Sequence, residues 1–251
     1  MLLYSSFDIS PISWVLAFIA AIVLGISKSG IKGIAIIIVT LMALVFGSKA
    51  STGLIVPLLI FGDIFAVVYY NRHAQWNYIF KFLPWMLLGV LVGVLVGKDL
   101  TASTFKLLMS VIILISVGIM FFWDQRKSIS IPTHWAFAGF VGIMAGITTM
   151  VGNLAGAFAN IYFLAMRLPK NQFIGTAAWL FLIVNVFKLP FHIFVWDTIS
   201  TETLLINAKL LPGTCLGLFL GVRLVKIIKE QFYRKMILVL TAIGALVILF
   251  S

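Results

Sequence analysis

Asp63 and Lys188 are the ionisable residues that sit deepest in long apolar stretches of this chain. A charge at such a position is costly enough to mark a functional candidate by default. Two chemistries fit them. They pair with each other, or Lys188 faces an anion while Asp63 carries a coupling proton. The plain alternative is a structural ion pair that fixes helix packing. Asn185, one helical turn before Lys188, and Thr176 share its stretch, while Ser51 and Thr52 open the stretch that holds Asp63.

A second group of polar residues lies in two glycine-containing linkers, each joining two short apolar runs. Ser27, Lys28, Ser29, Gly30 and Gly33 form one; Thr148, Thr149, Gly152, Asn153 and Gly156 form the other. Short paired hydrophobic segments broken by glycine at corresponding places in two repeats are the best sequence pointer to a transporter's binding site. Irregular backbone at membrane depth is tolerated only where protein or a water-filled cavity satisfies it. If both tips reach the middle of the bilayer from opposite sides, helix amino termini, hydroxyls and a lysine surround one cavity, which is anion-binding chemistry. The competing reading makes the tips interfacial turns, with Lys28 and Lys32 facing the cytoplasm.

The elements that position these residues follow from composition. Of 251 residues, 63% are hydrophobic and only 10% charged, too little polar surface to cover a soluble globule. The long unbroken apolar runs suit helices and lack the alternation of barrel strands. About ten segments of helical length are expected, at 12–27, 34–46, 53–70, 78–97, 105–122, 135–149, 154–166, 173–195, 204–222 and 232–250. The fold class is an all-α polytopic membrane protein, its helices transmembrane or re-entrant. The first run has no basic residue before it and no small-residue cleavage site after it, so it reads as a retained segment rather than a signal peptide.

The second half repeats the first. GISKSG at 25–30, followed by Gly33, lines up with GITTMVG at 146–152, followed by Gly156; Gly89, Gly93 and Gly97 match Gly213, Gly217 and Gly221. An odd number of crossings per copy inverts one relative to the other, giving two five-helix repeats at 1–124 and 133–251 joined by a cytoplasmic connector at 125–132. The glycine ladders are expected to serve close helix packing. With the amino terminus outside, the inner connections carry Lys28, Lys32, Arg72, Arg126, Lys127, Arg167, Lys170, Arg223, Lys226, Lys229, Arg234 and Lys235, leaving Lys49 and Lys98 outside with Asp197 and Glu202. This asymmetry is that of the positive-inside rule and puts both termini outside a bacterial inner membrane.

Orientation therefore accounts for the net charge of +11, and no nucleic-acid partner is expected. The lone Cys215 excludes a disulfide framework, His73, His134 and His192 are scattered, and no metal or cofactor is expected. Neither a phosphate-binding glycine loop nor a nucleophile elbow is present, so the chain does not read as an enzyme. Trp76, Trp85, Trp123, Trp135 and Trp196 fall near segment ends, where aromatic belts anchor helices.

The string GITTMVGNLAG at 146–156, with LPK at 168–170, FIGTAAW at 173–179 and NVFKLPF at 185–191, resembles the TauE/SafE family of sulfite exporter-like permeases. So do GISKSG at 25–30, ASTG at 50–53, Pro57 and the Gly62-Asp63 pair. The resemblance runs in order over nearly the whole chain. It implies secondary transport of a small sulfur-containing anion, such as sulfite, sulfoacetate or another organosulfonate, without a bound cofactor. Family members usually have glycine-rich tips in both hairpins. Ser27-Lys28-Ser29 and Thr148-Thr149-Met150 depart from that pattern and look like a lysine-bearing subgroup. The expected substrate site comprises Ser27, Lys28, Ser29, Gly30, Ser51, Thr52, Thr148, Thr149, Asn153, Thr176, Asn185 and Lys188, with Asp63 for ion coupling. An anion channel shares fold and site but needs no alternation; a membrane-embedded enzyme is the remaining alternative.

Overall fold

The structure is a computed structural model that describes residues 9–97, 135–229, 231–233, 235–237, 239, 240 and 243. The described residues form helices and no strand. In chain order they are α1 (Pro11–Lys28), α2 (Ala35–Phe46), α3 (Ser48–Tyr70), a single 3-10 turn (Asn71–His73), α4 (Trp76–Val96), α5 (Trp135–Gly152), α6 (Ala155–Ala165), α7 (Lys170–Phe194) and α8 (Thr201–Ile227). The expected segment at 105–122 and the connector at 125–132 lie outside the described residues, as does most of the segment at 232–250.

Local signals set the helix ends. Ser10 caps α1 by accepting from the Ser13 amide, with Pro11 at the first helical position. Ser200 and Thr203 form a reciprocal capping box at the start of α8. Gly47, at φ 82°, breaks α2 from α3. The third helix therefore starts at Ser48, ahead of the apolar run at 53, and Ser51 and Thr52 lie inside it. Hydropathy marks where apolar side chains begin, whereas a helix begins where the backbone turns.

Six helices, α1, α3, α4, α5, α7 and α8, are long and apolar enough to cross a membrane. Large apolar side chains such as Leu44, Val68, Leu95, Phe194 and Ile227 are exposed around them, a surface suited to lipid rather than water. The chain is a multi-pass integral membrane protein. The two remaining helices cannot span: α2 and α6 have 12 and 11 residues, about 18 and 16 Å at 1.5 Å per residue, against a hydrocarbon core of about 30 Å.

Packing is reciprocal between the halves. The first helix of each half lies along the last described helix of the other, α1 against α8 and α5 against α4, while α3 and α7 pack on each other between these pairs. Glycines make both crossings possible. A Cβ on Gly25 would collide with the Thr214 carbonyl and the Gly217 and Leu218 backbone of α8; one on Gly146 would collide with the Met86 carbonyl and the Gly89 and Val90 backbone of α4. Gly217, Gly221, Gly89 and Gly93 are close-packed in the same way.

Two expectations of placement change. Lys28 and Lys32, assigned to an inner connection, are 7% and 5% exposed and lie inside the protein, because the α1–α2 tip folds inward. Trp196 is buried rather than interfacial: its indole N–H donates to the Val94 carbonyl, and its ring covers Gly97. The start of α7 is tied to two other elements. Lys170 Nζ donates to the Val225 and Ile228 carbonyls at the end of α8, and the Asn71–His73 turn packs on Gly175 near the start of α7.

Candidate functional site

The last turn of α1 delivers Lys28 to the middle of the helix cluster, where Gly62 of α3 leaves room for its stem. A Cβ at Gly62 would stand 2.7 Å from the Lys28 Cγ. The ammonium donates to Asp63 Oδ1 at 2.7 Å, and Asp63 Oδ2 accepts from the Asn185 amide of α7 at 2.6 Å. One buried carboxylate therefore joins α1, α3 and α7. Asp63 stands seven residues before the end of α3 and Lys188 six before the end of α7, about 10 and 9 Å along their axes. Their positions in the two halves are thus alike.

Their partners differ. Lys188, fully buried, donates to the Asn153 Oδ1 at 2.7 Å, the Thr149 carbonyl at 3.0 Å and the Thr149 hydroxyl at 3.1 Å. It holds the α5–α6 tip, whose Asn153 takes the left-handed conformation at φ 55°, a region that asparagine tolerates better than most residues. The Asn153 amide then donates to the Thr52 carbonyl at 2.9 Å, tying the second tip to α3. Of the two arrangements offered for Asp63 and Lys188, the direct pair is not formed. Each instead binds a hairpin tip, because the tips reach between α3 and α7.

Between the tips is a cavity of about 60 Å³ walled by Lys28, Lys32, Thr149, Asn153, Asn160 and Asn185, with Ser27, Phe181 and aliphatic side chains completing it. Its volume suits a few water-sized groups, the scale of a small oxyanion. Phe181 presents its ring to both tip lysines, with the Lys28 and Lys32 ammonium groups 5.3 and 5.7 Å from its centroid. Lys32 makes one long bond, 3.4 Å to the Ser27 carbonyl, and has no carboxylate partner among the described residues. Lys28, Lys32 and Lys188 are all buried, Asp63 is the one buried carboxylate among the described residues, and only Lys28 pairs with it. Buried charge that is not matched is expensive, and an entering anion would lower that cost.

Five of the expected residues line the cavity: Ser27, Lys28, Thr149, Asn153 and Asn185. Lys188 stands behind them, and Thr52 contributes only its carbonyl. The other expected residues point elsewhere. Ser29 donates to the Gly25 and Ile26 carbonyls in the crossing with α8, and the Gly30 carbonyl accepts from the Tyr233 hydroxyl. Thr148 donates to the Ala145 carbonyl within α5, Ser51 is buried off the cavity wall, and Thr176 ties α7 to the Gln75 amide. Sequence reasoning gives Lys32 to orientation and misses Asn160 and Phe181. Phe181 has no distinguishing signal among many aromatics, but Asn160 is a lone amide in an apolar run.

Gly62→Ala tests the seating of Lys28. The added methyl overpacks the lysine stem, a change that typically costs about 1–3 kcal/mol. It should lower the unfolding midpoint and weaken any anion-dependent stabilisation. An unchanged midpoint would mean that the stem is free to move.

A search of curated proteins and one of solved structures return no match. The family model described as sulfite exporter TauE/SafE matches residues 16–248, a span that takes in both tips, α3, α7 and the cavity between them. By that match over nearly its whole length, the chain belongs to the TauE/SafE sulfite exporter family.

Proposed function

We propose that the protein is a secondary transporter that binds a small sulfur-containing oxyanion, sulfite or a short organosulfonate, between its two hairpin tips and exposes it alternately to the two sides. The observation that carries this reading is the cavity itself: two tips from opposite halves converge on a space lined by Lys28 and Lys32, with Lys188 bound to Asn153 of its wall and Asp63 to Lys28 and Asn185. The reciprocal packing of α1 with α8 and α4 with α5 supports an inverted repeat of 1–124 and 133–251, the plan on which one repeat rocks against the other around a fixed site. Export of a monoanion from a cell negative inside is favoured by about 2.3 kcal/mol per 100 mV. Uptake needs coupling, and the Lys28–Asp63 pair, which an anion drawing on Lys28 would loosen, is the candidate for it.

Anion-dependent thermal stabilisation of the detergent-purified protein tests the site. Sulfite, thiosulfate, sulfate, sulfoacetate, taurine and plain carboxylates form the panel. A ligand that binds only the folded state at a hundred times its Kd adds about 2.7 kcal/mol. We expect a sulfur oxyanion to do so selectively and Asn153→Ala to abolish the effect. No response to any anion, or one unaffected by Asn153→Ala, removes this site.

A further inference from the structure

The cavity wall contains three asparagines, and two are committed. Asn153 accepts from Lys188 and donates to the Thr52 carbonyl; Asn185 donates to Asp63. Asn160 of α6 is different. It is 1% exposed, and neither its amide nitrogen nor its carbonyl oxygen has a hydrogen-bond partner among the described residues. It lies one turn after Gly156, which also lines the cavity, and its Nδ2 is 4.0 Å from where a Gly156 Cβ would stand. A buried polar group left unpaired is costly, and beside a cavity such a group points to a ligand that would pair with it.

We infer that Asn160 is a specificity-determining residue, selecting among compact anions those that carry a hydroxyl or amine donor of their own. The inference rests on the anion-transporter reading and narrows its substrate. An amide offers both hydrogens and an acceptor oxygen. The oxygens of a simple sulfonate can only accept, so they satisfy Nδ2 and leave Oδ1 unpaired. A ligand with a donor a short spacer away from its anionic end satisfies both. The lysines at Phe181 supply the cationic end of such a site, and the cavity volume of about 60 Å³ restricts the spacer to a very short one.

The test is calorimetric titration of the full-length protein, at one pH, with 2-hydroxyethanesulfonate and with ethanesulfonate, which differ only in the hydroxyl. One added hydrogen bond to Asn160 should make the hydroxylated anion bind about tenfold tighter. In Asn160→Leu that ratio should fall to within about twofold while ethanesulfonate still binds. Asn160→Ala serves for the same ratio if the leucine variant does not purify. Equal affinities in the unaltered protein, or a ratio unchanged by either substitution, overturn the inference and leave the anion site standing. If neither sulfonate binds, the anion reading falls and the inference with it.

Discussion

Lys28→Met should destabilise the protein by about 3–5 kcal/mol and abolish anion-dependent stabilisation. Removing the ammonium leaves the Asp63 carboxylate buried with Asn185 as its remaining donor among the described residues, and an uncompensated buried charge is far more damaging than a lost bond. Lys28→Met combined with Asp63→Asn removes both charges and should recover at least half of the lost stability, since a neutral pair of similar volume has little to desolvate. Anion binding should not return, because the cavity still lacks a tip lysine. Unfolding in detergent with and without sulfite reads both quantities. A Lys28→Met variant as stable as the parent would show that the ion pair is not formed. A double variant that sulfite still stabilises would move the anion away from Lys28.

The helix crossings should be equally unforgiving. Gly25→Ala and Gly146→Ala each place a methyl against backbone of the opposite half, which cannot yield as a side-chain tip can. Each should cost about 1–3 kcal/mol, lowering the unfolding midpoint by roughly 2–12 °C for a chain of this size. Leucine at either position should prevent recovery of monodisperse protein. Gly139→Ala is the control. Its Cβ would meet the Trp85 ring at an ordinary 3.5 Å, and helix propensity favours alanine by about 0.5–1 kcal/mol. Similar losses at Gly25 and Gly146 with none at Gly139 are the expected pattern. A loss at only one of the two would mean that the crossings are not equivalent.

The parts of this architecture that depend on composition and local spacing are legible in the sequence. Apolar runs mark α1 to α8 with ends that miss by up to five residues, at the start of α3 and the end of α8, and the glycine ladders reveal their packing role. The tip residues that line the cavity are found because polar groups between short apolar runs must meet protein or a water-filled space at membrane depth. Direction around a helix axis and register between helices are not legible. Ser29 follows Lys28 by one residue, about 100° around a helix, and so faces α8 instead of the cavity. The choice of Lys28 rather than Lys188 as the partner of Asp63 depends on how far the first tip reaches between α3 and α7. Lys32 is ambiguous for a related reason: a lysine beside a tip serves orientation or chemistry according to depth, and depth is a tertiary property.

The crossing of α1 with α8 also bears on how the chain is made. Helix α1 packs against one that begins at Thr201, so the glycine-bearing face it turns to α8 lacks that partner until most of the chain has been made. The α4–α5 contact forms much earlier in synthesis. The α4–α5 crossing can therefore close before the α1–α8 crossing, while α1 is held meanwhile by its packing on α2 and α3. Contacts this distant in sequence are slow to close, and an early-emerging surface left uncovered is where membrane chaperones and quality-control proteases gain access.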